Sequence, residues 1–520
     1  MTARYRAPAQ DGGLLADPPL DRLGDQLARN AHHLDNSPVR IAGVRLGEFR
    51  RSAVEEVLAA ARRYLVEGGE PVPPAGPRLL VAGHQPDFFH PGVWVKKFVL
   101  HGLAVRHGLA PLNLVVDNDV IKSAAIRVPV EANEPERVRA VPVPFDRPAG
   151  DRPHEEYHVS DRHLFDTFPE RLREYTRAWG FEPLADQVWP MMAAELDRGA
   201  TLGTAASRVR RSLERRWGVT NFELPVSRMA ESRAFAGFVF TVLADASRFR
   251  TAYNSAVSDY RRRNHVRSRN HPAPELEATA TSVEVPFWVW RTGFPRRHRL
   301  FVRTTESAFV LSAGDEIIGS LPRTPDGFST AWERVLAEGS KVRPRALSLT
   351  LFARLCLGDG FIHGIGGGMY DAVTDDIVRR FFGMEPPGYA VVSATLRLPI
   401  GRLQVTADDL HATERRVRDL EWNPQRFEET RTRFPDLVAR KAALIPAKPA
   451  ARADRRRWFR QLQQVTRAMR PAVVGQIADA EAAVGRIRHA LAANAILGSR
   501  EYAWPLFPEG MLRDYFAQFR

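Results

Sequence analysis

A chain of 520 residues is too long for one compact core, so two or more domains are expected. Its 44% apolar content is ordinary for a globular protein, no apolar run approaches the ~18 residues of a membrane span, and the single cysteine, Cys356, excludes an internal disulfide and a cysteine-based metal site. The net charge of +14 invites a nucleic-acid reading, but arginine carries nearly all of the basic charge, in pieces (Arg261–Arg269, Arg296–Arg303, Arg455–Arg460) that lie between elements and outside any nucleic-acid motif.

The opening MTARYRAPAQDGG lacks the apolar core of a signal peptide, so a cytoplasmic protein is expected. Residues 1–48 are polar and predict a loose arm with one helix near Leu20–His32. Arg50–Glu67 carries Val54, Val57, Leu58 and Leu65 on one helical face. Pro71–Pro77 then connects into Arg78–Arg127, the stretch around which the chain is organised. Leu79–Ala82 reads as a strand that stops at Gly83, with His84, Gln85, Pro86 and Asp87 in turn chemistry. From Gly92 to His107 the apolar positions fall at helical spacing, and Leu112–Val116 is a second strand ending in Asp117-Asn118-Asp119. A βαβ unit predicts a parallel sheet, and ligands on such sheets bind beyond the carboxyl ends of the strands. Both polar clusters belong at that edge. Lys96, Lys97 and Lys122 are half of the chain's six lysines, and all three fall in this stretch.

Ala125–Val130 and Arg137–Phe145 read as extended. Asp151–His163 carries His154, His158 and His163; the first two are spaced for one helix face, and a polar surface helix or active-site lid is expected. Phe165–Trp179, Val188–Leu196, Leu202–Trp217 and Ala234–Arg262 read as helices, with a strand at Gly218–Leu224. Val283–Arg291 and Leu300–Thr304, with Pro295 between them, predict antiparallel strands inserted late in the sheet domain. Leu347–Leu357 predicts a buried helix in which Cys356 is an inert core thiol. Gly360–His363 predicts a strand. It runs into Gly364-Ile365-Gly366-Gly367-Gly368 and a helix through Phe382, an arrangement whose backbone N–H groups point at one spot and suit an anion. Thr406–Leu420 and Phe427–Leu444 read as charged helices. Ala450–Leu497 is helical apart from Pro471, with a heptad seam at Val473, Ile477, Ala480, Val484, Ile487 and Leu491. A hairpin within one chain and a dimer contact both satisfy that seam. Trp504–Phe519 is expected to fold back on the sheet.

Four stretches together resemble BshC, the family of cysteine-adding enzymes of bacillithiol synthesis. Gly83-His84-Gln85-Pro86 with Phe89 and Lys97 is similar to that family's Gly-Gln-Gln-Pro stretch and its helix lysine. Asp117-Asn118-Asp119 resembles its Asp-His-Asp motif. Arg345–Gly383 resembles its strand, glycine turn and helix, and Leu506-Phe507-Pro508-Glu509-Gly510-Met511-Leu512 its ending. The matches are in order and cover roughly residues 75–515. His84 stands where the family has Gln, Asn118 where it has His, and Gly368 where it has Glu. The resemblance implies an α/β fold with a Rossmann-like, mostly parallel sheet and inserted connecting segments, a helical coiled-coil domain that mediates dimers, and condensation of cysteine with glucosaminyl-malate. The implied layout is an N-terminal helical arm (1–74), a core (75–400) with insertions near 131–200 and 265–345, a coiled-coil domain (401–498) and a tail on the core (499–520).

Imidazole suits proton transfer near neutral pH. His84 is therefore the first candidate for general acid or base and His363 the second. Asp117 or Asp119 is expected to hold a substrate ammonium or orient the histidine, and Lys97 to steady a carboxylate or phosphate. Gly83, Gln85 and Asn118 complete the substrate site, and the amides of Gly364, Gly366, Gly367 and Gly368 bind an anion. The expected partner is a small-molecule substrate, with a homodimer through the C-terminal helices and neither membrane nor nucleic acid. The cofactor is left open, ATP or ADP being the candidate, and the sequence requires no metal. Three rival readings follow from the same residues. One is a nucleotide-dependent transferase or ligase. Another is a metal-dependent hydrolase using His84, His90, Asp117, Asp119 and His363. The last is a nucleic-acid scaffold using the basic surface.

Overall fold

Leu79–His84 is the strand from which the sheet is built outward. The structure, a computed structural model, describes residues 5–130, 134–148 and 150–520. Residues 1–4 of the expected arm, and 131–133 and 149 of the first expected insertion, lie outside the described residues. Six strands form a mixed, mostly parallel sheet: β1 (Leu14–Asp17), β2 (Leu79–His84), β3 (Ala110–Val115), β4 (Phe222–Pro225), β5 (Gly358–His363) and β6 (Ala390–Ala394). Their order is β1-β6-β5-β2-β3-β4. All neighbours run parallel except β1, which closes one edge antiparallel on β6. The expected loose arm is therefore partly a strand: Leu14 to Asp17 supply the partner that β6 lacks.

Among the parallel strands the sheet extends from β2 through β3 to β4 on one side, and from β5 to β6 on the other. The strand order reverses between β2 and β5. At such a point the segments leaving two adjacent strands depart to opposite faces and open a crevice. Here α1 (Pro91–His107), which follows β2, packs Val95 and Phe98 into one core, whereas α2 (Ile365–Ile377), which follows β5, packs Val373 and Ile377 into the other. Alternation along β2 serves both cores: Leu79 and Val81 face one, Leu80 and Ala82 the other. A strand buried on both faces reads in sequence as a continuous apolar run.

Helix α1 starts at His90, whose Nδ1 accepts a hydrogen bond from the Gly92 N–H at 3.1 Å, and Pro91 presets the first turn. It ends at Gly108, left-handed at φ +66°. Its first turn presses on the end of β6. A Cβ on Gly92 would lie 2.1 Å from the Ala394 carbonyl oxygen.

The antiparallel strands expected around Val283–Arg291 form within the insertion, apart from the main sheet. They form a separate five-stranded antiparallel sheet in the order Glu316–Pro322, Ala308–Ala313, Phe294–Thr304, Val283–Arg291, Ser340–Pro344. Its first hairpin turns at Thr292-Gly293, where Gly293 takes φ +82°, and Pro295 lies inside the strand rather than in the connection. One expectation is corrected: between Asp151 and Asp161 the chain forms only the single turn His154–Glu156, and α-helix begins at Arg162. The N–H groups of His154 and Glu155 donate instead to the carbonyls of Asp119 (2.9 Å) and Asp117 (2.8 Å), so His154 is buried while His158 is exposed.

Toward the C-terminus α3 (Ala407–Trp422) packs along α4 (Val474–Leu497) of the same chain. Val473, Ala480 and Val484 of the seam are buried, and Leu420 joins the first two. The tail then returns to the sheet. The Trp504 N–H donates to the Phe89 carbonyl at 2.9 Å, its ring lies 5.0 Å from that of Trp94, and Phe516 stacks on Phe98 at 4.2 Å.

Candidate active site

A cleft of about 650 Å³ lies where the strand order reverses. Its polar walls include Gly83 and His84 at the end of β2 with Gln85 after them; His90 at the N-cap of α1 and Lys96 within it; His363 at the end of β5 with Gly364, Gly366 and Gly367 after it; Ser393 on β6; and Arg500 and Glu501 of the tail. The two glycine turns thus face one cleft.

His84 is half-buried, and its Nδ1 lies 3.0 Å from the Gln85 carbonyl oxygen. A carbonyl only accepts, so Nδ1 carries the proton and Nε2 keeps its lone pair. Burial, and then the charge of Lys96, hold the ring well below its ordinary value, so it is neutral near pH 7. That is the state of a general base. His90 is also held neutral, lowered to about 4 chiefly by burial. Its Nδ1 already accepts from Gly92, so the ring proton sits on Nε2, 3.3 Å from Glu501 Oε2.

His363 is buried and donates Nε2–H to Asp371 Oδ2 at 2.8 Å. The same oxygen takes a 2.6 Å bond from Arg354. Burial alone would raise Asp371, but Arg354 and His363 outweigh it and keep the carboxyl below its ordinary range. An ionised carboxylate fixed behind an imidazole sets its tautomer and orientation. Nδ1 of His363 is then left on the side of the α2 first turn, 2.7 Å from where a Cβ on Gly367 would stand.

Lys97, the expected anion-binding lysine, faces away. Adjacent residues on a helix point about 100° apart. Lys97 is buried 3.9 Å from Glu214 and under the Phe89 ring, within the ion cluster of Arg210, Arg211, Glu214 and Glu223. Lys96 is the lysine of the cleft. Its Nζ donates to the Gly83 carbonyl at 2.9 Å and lies 4.0 Å from where a Cβ on Gly364 would stand, so one ammonium spans both glycine turns. Burial lowers it to about 8.

The Asp-Asn-Asp cluster does not line the cleft; it latches the molecule behind it. Asp117 accepts from the Ser227 N–H (2.9 Å) and Oγ–H (2.5 Å), and burial followed by Glu155 pushes it up to about 7. Asn118 is buried, with Nδ2 on the Pro344 carbonyl at 2.7 Å. Asp119 accepts from Gln85 Nε2 (3.1 Å), Val120 N–H (2.9 Å) and Arg297 (3.2 Å). Only Asp119 reaches the site, by holding Gln85. Gly368 is also outside the cleft: a Cβ there would meet Val391 Cγ2 at 2.3 Å, so this glycine serves packing of α2 on the sheet.

The five side chains of the hydrolase reading are divided between the cleft and the latch. Among the described residues no group of three or more His, Cys, Asp or Glu is placed to hold a metal ion. Cys356 is buried and pushed up to about 12 by burial. Sequence reasoning missed Lys96 as a site residue, along with Asp371, Arg354, Arg500 and Glu501. For Lys96 the lysine cluster was the signal, and helix phase decided between neighbours. Arg500 and Glu501 carried none, since the tail's path fixes them.

The cleft combines a neutral imidazole, a carboxylate-backed imidazole, an ammonium, a guanidinium and the amides of a helix N-terminus. Such a set binds an anionic ligand and moves protons beside it. No family model matches the chain, and no curated protein matches its sequence.

Proposed function

We propose that the chain is a BshC-like condensing enzyme that forms a C–N bond on an anionic acceptor, adding cysteine or a related amino acid to an amino-sugar conjugate such as glucosaminyl-malate. The observation that carries this reading is the placement of Lys96 across the two glycine turns with the free Nε2 of His84 in the same cleft. Lys96, Arg500 and the first-turn amides of α2 hold the acceptor's negative charge. An amine of one substrate attacks a carbon of the other. The nitrogen's proton goes to His84 Nε2. The oxygen that leaves the carbon takes the Nδ1 proton of His363, which enters the step as the imidazolium that the Asp371 carboxylate orients and leaves it neutral, with its remaining proton on Nε2. In this reading the sheet is a Rossmann-like core, the α3–α4 region is a coiled coil that joins a homodimer, and the enzyme works in the cytoplasm.

A second reading, nucleotide-dependent transfer, is favoured by the open glycine-rich first turn of α2, a place where phosphate oxygens meet backbone N–H groups. One assay separates the two. Purified protein is incubated with cysteine and glucosaminyl-malate, with and without ATP, beside His84→Ala, and products are followed by mass spectrometry. A cysteinyl product that disappears in the variant supports condensation. Product only with ATP favours the nucleotide-dependent route. No product from folded protein rules out this substrate pair.

A further inference from the structure

Beside the cleft lies a second cavity of about 250 Å³. The turn after β2 separates the two: Gly83, His84 and Gln85 face the cleft, while Pro86, Asp87 and Phe88 face the second cavity. Glu501 lines both. The far wall is built around His154, which is 1% exposed. Its Nε2 is 3.2 Å from Asp87 Oδ1, yet neither ring nitrogen makes a hydrogen bond. Both ring nitrogens are closed off from solvent, so this imidazole faces the Asp87 carboxylate and fixes that side of the wall. The wall behind it is close-packed, since a Cβ on Gly203 would meet Pro86 Cγ at 2.9 Å and His154 Cβ at 3.2 Å. Lys122 and Arg127 stand exposed at the mouth, and neither is ion-paired with a described residue. Asp87 is the part-buried carboxylate of the wall, and Glu501 stands exposed between the two cavities, bonded to Arg500 at 2.8 Å and 3.3 Å from His90. With the two cations at the rim, this pattern is complementary to one small molecule bearing an ammonium and a carboxylate.

We propose that this cavity binds the amino-acid substrate as a zwitterion, with its ammonium on Asp87 and beside Glu501, its carboxylate toward Lys122 and Arg127, and His154 behind Asp87. The proposal rests on the condensing reading and gives it a second subsite. The ammonium lies beside Glu501, the side chain common to both cavities, so the amino acid is held next to the anionic acceptor without competing for Lys96.

The test is calorimetric titration of the full chain with L-serine, with ethylamine and propionate as half-ligands, repeated on Asp87→Asn, on Lys122→Ala/Arg127→Ala and on Lys96→Met. Asp87 is part-exposed and the two cations are exposed, so these variants keep the fold, as circular dichroism will verify. Serine is expected to bind more tightly than either half-ligand, and to lose about tenfold or more in affinity in Asp87→Asn and in the double variant. Absence of serine binding, or half-ligands that bind as well as serine, overturns the proposal. So does a loss confined to Lys96→Met, which moves the amino acid into the main cleft and leaves the condensing reading intact. Serine binding that depends on Asp87, in a protein that forms no condensed product, supports the subsite and overturns the condensing reading.

Discussion

The Lys96 ammonium donates to the carbonyl oxygen of Gly83 at 2.9 Å, which anchors it beneath the turn while leaving two of its three N–H donors for a ligand. Lys97, one position on, is buried against Glu214. The two lysines therefore make opposite predictions. Lys96→Met is expected to weaken acceptor binding by about tenfold to a hundredfold, the worth of one or two charge-assisted hydrogen bonds. Lys97→Met is expected to leave that affinity within about twofold while lowering the melting temperature, because it removes one cation from a buried ion cluster and leaves its carboxylates less compensated. Calorimetry and thermal melts on both variants check the pair.

The pH dependence of anion binding follows from the same side chain. Burial lowers Lys96 to about 8, below the usual lysine range, so it loses its charge just above neutral pH. Sulfate, whose own charge is constant in this range, is expected to bind with flat affinity below about pH 8 and to weaken above it by up to about tenfold per pH unit. Binding stabilises the charged amine, so proton uptake accompanies it near that pH. Lys96→Met is expected to show weak, flat binding. A wild-type profile without the alkaline fall removes Lys96 from the anion site.

What the sequence disclosed follows from how local each cause is. The run at Leu79–Ala82 and the helix after Pro91 are set by neighbours in the chain, and both were legible; the expected stop at Gly83 was not met, because Gly83 and His84 continue the strand, paired with Leu114 and Val115 of β3. The choice between Lys96 and Lys97 depends on helix phase to within one residue, which the all-round burial of α1 conceals: Trp94, Val95, Phe98 and Val99 are buried alike. Asp117, Asn118 and Asp119 showed that a polar cluster stands at the end of β3. Their partners, Ser227, Pro344 and Arg297, are over a hundred residues away, so nothing local marked them as a latch rather than a lining. Arg500 reaches the cleft only because Trp504 and Phe516 fold back on α1.

For His84 the prediction concerns the acid limb of kcat/KM. A general base works in its unprotonated form. Burial, and then the Lys96 charge, hold this ring well below 6.5, so activity is expected to persist at pH values below 6.5 before falling. Removing the neighbouring charge in Lys96→Met relieves part of that depression and is expected to move the acid limb to higher pH, alongside its effect on binding. A limb that stays in place in Lys96→Met assigns the titration to another group.

Asp117 yields a stability prediction instead. Its folded-state value is pushed up to about 7 from an ordinary 3.8, chiefly by burial and then by Glu155. Between those values the folded chain holds a proton that the unfolded chain has released. This group's contribution is therefore fully present below about pH 4 and is lost as pH rises through about 7. The slope it adds is at most about 1.4 kcal/mol per pH unit. Urea unfolding across that range is expected to show a downward trend with pH that is reduced in Asp117→Asn. An unchanged slope in the variant assigns the trend elsewhere.

The glycines after β5 separate by what stands next to them. A Cβ on Gly366 meets nothing within 4 Å and would project from a residue that lines the cleft, whereas one on Gly368 would lie 2.3 Å from Val391 Cγ2. Both residues lie inside α2, where alanine is intrinsically better than glycine by about 1 kcal/mol. Gly366→Ala is therefore expected to keep or raise the melting temperature while weakening sulfate and acceptor binding, because the added methyl enters the space the ligand needs beside the first-turn amides. Gly368→Ala is expected to lower stability by about 1–3 kcal/mol, the usual cost of overpacking a filled site, since Val391 lies in the sheet and gives way only with the strand. Melts and sulfate titrations on the two variants read both effects. If Gly366→Ala binds sulfate as the parent does, the α2 N-terminus is not where the anion sits, and Lys96 and Arg500 hold it alone.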